Sequence, residues 1–182
     1  MANPKSAYSV STKKEKSDTH IIVVWVDNEA GVLARVVGLF SGRGYNIDSL
    51  NVAEVNNQHL SRITIVTHGT KEVIYQIQSQ LMRIVPVHSV SNLDKEDSSV
   101  EAEVALVNMF INEKNKKEAF QICDLYRARK IENENNTVIF EIAGTSQRID
   151  TFIKDISKIT DIEIVRSGPV AISSMQKNEE EE

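Results

Sequence analysis

The stretch Asp27-Asn28-Glu29-Ala30-Gly31-Val32-Leu33-Ala34-Arg35-Val36-Val37-Gly38-Leu39-Phe40-Ser41-Gly42-Arg43-Gly44-Tyr45-Asn46-Ile47 joins a strand to a helix, and its reading decides the fold. Just upstream, His20-Ile21-Ile22-Val23-Val24-Trp25-Val26 is a β-branched apolar run of strand length. Val32, Leu33, Val36, Val37, Leu39 and Phe40 then recur at helical spacing and form one apolar face. Gly42 and Gly44 can end that helix in left-handed geometry. The first exposed amides of the helix therefore fall around Gly31 to Leu33. A helix N-terminus carries unpaired N–H groups and partial positive charge, so it can hold a carboxylate, and a glycine there removes the side chain that would block close approach. Asn28 adds one donor and one acceptor group. The loop suits a small zwitterion and reads as part of a sensor, although taken alone Asn28 and Gly31 also fit a plain turn.

Working outward, alternating Leu50 and Val52 predict a second strand, Asn56-Asn57-Gln58-His59 a turn, and Leu60 to Thr67 a third strand. Val73, Ile74, Ile77, Leu81 and Ile84 mark a helix, and Val85 to Val90 a closing strand with Pro86 at its start or on an edge. The order is βαββαβ, the ferredoxin-like plan. After the polar break Leu93-Asp94-Lys95-Glu96-Asp97-Ser98-Ser99 the order recurs. Val104 to Ile111 reads as a strand, and Ala119, Ile122, Cys123 and Tyr126 as the stripe of a helix. A weak strand near Lys130 to Glu132 and a clearer one from Thr137 to Ala143 follow. Ile149, Phe152, Ile153 and Ile156 build the fourth helix, and Ile162 to Val165 the last strand. The fold class predicted is α+β, with two ferredoxin-like βαββαβ domains in tandem, alike in element order and without obvious residue identity. The divisions are an arm at 1–19, a first domain at 20–93, a linker at 94–99, a second domain at 100–173 and an acidic tail at 174–182.

Composition narrows the function classes. The 182 residues suffice for two small cores, and 41% hydrophobic with 26% charged residues is ordinary for a globular chain. A net charge of -5 without a strong basic block argues against nucleic acid as the main partner. The single Cys123 excludes an intrachain disulfide and a multi-cysteine zinc site, which suits a reducing compartment. Apolar runs are only strand-sized, so no membrane span is expected. The arm is polar, rich in Lys and Ser, and lacks both the apolar core of a secretory signal and the arginines of a transit peptide. It reads as disordered, and the protein as cytoplasmic.

No catalytic constellation stands out. Gly38-Leu39-Phe40-Ser41-Gly42 reads G-x-x-S-G, whereas a nucleophile elbow requires G-x-S-x-G at a strand-to-helix turn. Gly42-Arg43-Gly44 lacks a third glycine at the dinucleotide spacing and is explained as a helix cap. His20, His59, His68 and His88 are scattered without metal-ligand spacing, so no metal site is expected. Cys123 falls on an apolar helix face, as a small buried hydrophobe would.

From about His20 to Ser173 the chain resembles the regulatory small subunit of acetolactate synthase (acetohydroxyacid synthase), which begins with an ACT domain. The resemblance rests on Asn28-Glu29-Ala30-Gly31-Val32-Leu33-Ala34-Arg35, Gly38-Leu39-Phe40-Ser41, Gly44-Tyr45-Asn46-Ile47-Asp48-Ser49-Leu50 and Leu60-Ser61-Arg62-Ile63-Thr64-Ile65-Val66. It continues through Gln80-Leu81, Ala143-Gly144-Thr145 and Arg166-Ser167-Gly168. It implies that the first domain is an ACT domain which pairs side by side with a second copy, and that the amino-acid effector lies at the interface. Asn28 and Gly31 would hold the effector's backbone groups, Ala30 between them belongs to the same effector-binding set, and Asn46 would reach it from the other chain. Val32, Leu33 and Ile47 would line its apolar part, although each also fits a core position. The implied function is a non-catalytic regulatory subunit that activates the catalytic large subunit and confers feedback inhibition by valine in branched-chain amino acid biosynthesis. Thiamine diphosphate, magnesium and FAD are implied on that large subunit, with no cofactor on this chain. The alternative is a free-standing ACT amino-acid sensor acting on another enzyme or a transcription factor. The chain departs from the family at the arm, at Gly42 where a long polar residue is common, and at Asn108 where a lysine is usual.

Overall fold

The computed structural model describes residues 18–55, 58–93, 99–134 and 136–174. In chain order the elements are β1 (Asp18–Asp27), α1 (Val32–Arg43), β2 (Ser49–Glu54), β3 (Leu60–Gly69), α2 (Lys71–Leu81), β4 (Val87–Asn92), β5 (Ser99–Phe110), α3 (Lys116–Leu125), β6 (Arg129–Glu134), β7 (Thr137–Gly144), α4 (Ser146–Ile156), β8 (Ile162–Arg166) and β9 (Val170–Ser173). The first four strands form an antiparallel sheet in the order β2-β3-β1-β4. The second sheet repeats it as β6-β7-β5-β8. Both halves are thus the predicted ferredoxin-like plan, each with two helices.

The elements form where side-chain period and backbone chemistry agree. In α1, Val32, Val36 and Phe40 are buried at i, i+4 and i+8, and the helix closes at Gly44, with Gly44 N donating to Ser41 O and Tyr45 N to Phe40 O. Together with Ile22, Val24, Val26, Ile63, Ile65, Ile74, Ile77 and Leu81 they make the first core. The second core is built alike from Ala105, Val107, Met109, Ala119, Cys123, Val138, Phe140, Ile142, Ile149, Phe152 and Ile156. Pro86 precedes β4, so its missing N–H costs no ladder bond.

Register reveals residue matches between the halves that are not apparent along the chain. Asn28-Glu29 and Asn112-Glu113 each open the loop four residues before the first helix, and Gly69-Thr70 and Gly144-Thr145 each open the second. Thr70 Oγ1 accepts from Val73 N at 3.5 Å and Thr145 Oγ1 from Arg148 N at 3.3 Å, the same cap twice.

Several expectations change at the edges. Asp18 and Thr19, counted with the arm, belong to β1, paired with Gly69 and His68. Ser99, counted with the linker, begins a β5 that runs five residues earlier than its predicted start at Val104. The extension exists because β9, absent from the sequence reading, pairs with Ser99 to Ala102. Residues 1–17, the turn residues Asn56 and Asn57, the linker residues 94–98 and the tail residues 175–182 lie outside the described residues.

The two domains meet at the face of the first sheet opposite its helices. There the loop Ser167-Gly168-Pro169 and β9 lie against β2 and β3: Asn51 Nδ2 donates to Pro169 O at 3.2 Å, and Arg62 Nη2 donates to Ala171 O. The Arg62 guanidinium also sits 5.9 Å from the centroid of the Trp25 ring. Gly168 has φ +73, and a β-carbon there would fall 2.6 Å from Ser49 Cβ, so the close approach requires glycine. An ion pair between the buried Glu103 and the partly exposed Arg166 holds the loop's root. Glu103, 3% exposed, accepts from Arg166 Nε and Nη2 and from Ser146 Oγ, while Arg166 Nη1 also donates to Asp150.

Candidate functional site

The backbone of the β1–α1 loop is held from three sides. Asn28 N donates to His59 O at 2.7 Å, and Asn28 Nδ2 donates to Gln58 O at 3.1 Å, so the loop is tied to the β2–β3 hairpin. Arg35 Nη1 donates to Val85 O at 2.5 Å, and Arg35 Nη2 lies 3.4 Å from Glu29 Oε1. Gly31 is the N-cap residue of α1 in left-handed geometry, φ +88, with no side chain capping the helix. The helical ladder begins at Arg35 N to Gly31 O. The amides of Val32, Leu33 and Ala34 therefore have no partner within the helix.

The corresponding loop of the second domain is closed by its own side chains. Asn112 Oδ1 accepts from Lys114 N and Asn115 N at 2.9 and 3.1 Å, and Asn115 Oδ1 accepts from Asn112 N at 2.7 Å. These bonds fix the loop ahead of α3, whose N-cap residue Asn115, like Gly31 in α1, makes no side-chain bond to the first helical amides, although Lys116 N donates to Asn112 O at 3.0 Å.

The predicted site residues separate into three groups. Asn28, Ala30 and Gly31 are exposed at the start of α1. Val32, offered both as lining and as core, fills the core at 3% exposure, so only its backbone amide is available to a ligand, whereas Leu33 at 41% is open to solvent. Ile47 is partly buried against the first core. Asn46 lies beyond Gly44, the other end of α1. Twelve helical residues separate the two ends by about 18 Å.

Around Asn46 the structure assembles a cluster that sequence spacing did not suggest. Asn46 Nδ2 donates to Asp48 Oδ1 at 2.7 Å, Asp48 Oδ2 is hydrogen-bonded to His68 Nδ1, and His68 Nε2 is 2.9 Å from Thr19 Oγ1. The Asn46 backbone is fixed as well, its carbonyl accepting from the buried Thr67 Oγ1 at 2.6 Å and the neighbouring Asp48 N donating to Val66 O at 2.8 Å. Thr19 and His68 are direct cross-strand partners, a relation visible only once the β1–β3 register is known.

Burial, with Asp124 adding to it, pushes the Cys123 thiol up to about 12, so it stays protonated and poorly nucleophilic at neutral pH. Of the other predicted strand and turn histidines, His88 Nε2 pairs with Asp27 Oδ1 at 2.6 Å and His20 is 5% exposed. Among the described residues no three His, Cys, Asp or Glu side chains gather as a metal site. Among them, too, no helix is long and apolar enough to cross a membrane. Of the three family departures, two lie wholly within the described residues: a β-carbon added at Gly42 would meet nothing within 4 Å, and Asn108 lies on the β5 face away from the helices with its Oδ1 buried and unpartnered.

Family comparison matches residues 22–89 to the "AHAS small subunit-like ACT domain" and residues 102–175 to the "Small subunit of acetolactate synthase". The acetolactate synthase isozyme 3 small subunit of Salmonella typhimurium is 39% identical over 160 residues, 86% of this chain and 96% of its own. The chain belongs to the acetolactate synthase small-subunit family. The Escherichia coli isozyme 3 small subunit of this family is equally similar, 39% identical with the same coverage. The crystal structure of the acetolactate synthase small subunit from Thermotoga maritima superposes with a TM-score of 0.79 at 32% identity, covering 87% of this chain and 99% of that one. As a small-subunit family member the chain carries an ACT domain on β1 to β4, and the open loop at Gly31 is part of it.

Proposed function

We propose that this chain is the non-catalytic regulatory subunit of an acetolactate synthase. It associates with the catalytic large subunit, raises that subunit's activity, and lowers it again when valine binds between two paired ACT domains. The observation that carries this reading is the distance within one chain: the open amides at Gly31 and the fixed amide of Asn46 stand at opposite ends of α1, about 18 Å apart by helix rise. One small amino acid touches both only if Asn46 comes from a second copy. In a side-by-side homodimer the effector's carboxylate meets the amides of Val32 and Leu33, with Asn28, Ala30 and Gly31 around it, and Asn46 of the partner subunit meets its ammonium group. Leu33 and Ile47 supply the apolar contact for the branched side chain.

Inhibition requires valine to bind more tightly to the arrangement that favours the less active enzyme, since a ligand with equal affinity for both shifts nothing. The ACT pair is the element it biases. Thiamine diphosphate, magnesium and FAD belong to the catalytic subunit in this reading, and the complex is cytoplasmic. The test is reconstitution. Adding this chain to the catalytic subunit should raise acetolactate formation, and valine should suppress the gain, with light scattering showing a dimer. A monomer that binds valine at full stoichiometry would refute the shared site, and failure to associate with any thiamine-dependent large subunit would refute the partnership.

A further inference from the structure

The valine reading requires the Asn46 amide to face the effector's ammonium group through its oxygen, and leaves open what holds it so. We propose that Asp48, held against β3 by His68, sets that amide so that its Oδ1 accepts from the effector's ammonium group. The inference rests on the shared-site reading and adds two positioning residues, Asp48 and His68, to it.

The argument is one of donor and acceptor accounting. An ionised carboxylate only accepts, so the group of Asn46 that faces Asp48 Oδ1 at 2.7 Å must be the Nδ2 donor. The amide oxygen is thereby turned away from Asp48. Asp48 is itself immobilised: its amide N is bonded to Val66 O, and its other carboxylate oxygen meets His68 Nδ1. Because Asp48 requires a donor, the Nδ1 position carries the proton, and in the neutral ring Nε2 accepts from the Thr19 hydroxyl 2.9 Å away. The chain Thr19–His68–Asp48–Asn46 thus runs from β1 through β3 to the loop and permits one amide orientation. Thr67 Oγ1 also holds the Asn46 carbonyl, which steadies the backbone that carries the amide. An acceptor backed by a carboxylate suits an ammonium group and repels a second carboxylate, which gives the site a direction: carboxylate toward Gly31, ammonium toward Asn46.

The positioning role predicts a change in discrimination, beyond any loss of affinity. Isothermal titration of the full-length chain with valine and with 3-methylbutanoate, which is valine without its amino group, measures it. Wild type should prefer valine strongly. Asp48→Ala frees the amide to present either end, so valine should weaken about tenfold or more, the scale of a lost charge-assisted hydrogen bond, while 3-methylbutanoate changes little and the preference narrows. His68→Ala should narrow it by a smaller factor, and Asp48→Glu, which keeps an acceptor-only carboxylate, should restore most of it. Asn46→Ala serves as the control for the underlying reading and should abolish the preference. If Asn46→Ala lowers valine affinity but Asp48→Ala leaves the valine to 3-methylbutanoate ratio at its wild-type value, the positioning role is refuted and the shared site stands. If Asn46→Ala binds valine like wild type, the shared site itself fails.

Discussion

Gly31→Asp places a carboxylate where the effector's own carboxylate is expected, and its cost can be worked out. The backbone at Gly31 has φ +88, a conformation that costs an L-residue about 1–2 kcal/mol. Sterically the site is open, since an added β-carbon meets nothing nearer than Arg35 Nη2 at 4.0 Å. An acid at a helix N-terminus returns about 0.5 kcal/mol. The net destabilisation is about 1 kcal/mol, a melting temperature lower by about 4 °C. The strain is not legible in the sequence, because φ is not written in the residues. The effect on sensing should be far larger. Losing the bonds between the effector carboxylate and the amides of Val32 and Leu33 amounts to about 3 kcal/mol, or roughly a hundredfold in valine affinity. The assay is acetolactate formation by the reconstituted enzyme across a valine titration, beside a thermal melt of the variant. Activation should persist while valine inhibition moves beyond reach. Gly31→Ala carries the same strain without the charge, so its inhibition curve should fall between the two. A Gly31→Asp curve that superimposes on wild type, with the melt lowered as calculated, would show that Gly31 is only a turn residue.

Glu103→Gln removes the charge from a buried group that serves Arg166 and Ser146, and should cost about 3 kcal/mol in denaturant unfolding at neutral pH. Burial alone would raise the Glu103 pKa, but the bonds from Arg166 and Ser146 outweigh it and hold it below the ordinary carboxylate value. A folded pKa below the unfolded one contributes stability above the unfolded pKa and loses it as pH falls through the folded one, so the wild type should shed this advantage on acidification and the gap to the variant should close; a gap unchanged by pH would contradict the pairing. Arg62→Ala breaks both the bond to Ala171 O and the stacking on Trp25, and should separate a single calorimetric transition into two as the domains uncouple. A chain ending near Leu93 should fold and dimerise by size-exclusion chromatography, because β1 to β4 enclose a complete core, and should activate the catalytic subunit while responding poorly to valine.

The sequence by itself determined the element order, the two cores and the open helix start. Those features depend on periodicity, β-branched runs and glycine placement within a dozen residues, and local physics acts on such spans directly: Val32, Val36 and Phe40 had to share a face whatever else packed nearby. Asn28 and Gly31 could be proposed from one short loop, and Asn46 through the resemblance to the small-subunit family. Tertiary structure decided the rest. It sent Val32 inward and Leu33 outward, a choice set by the rotation of α1 on its sheet. It brought Thr19, His68 and Asp48 to Asn46 through strand register, and a one-residue slip would have turned His68 to the other face. It added β9 to β5 and pressed Gly168 onto Ser49, the latter a contact between positions more than a hundred residues apart, and both depend on where separately built elements come to rest.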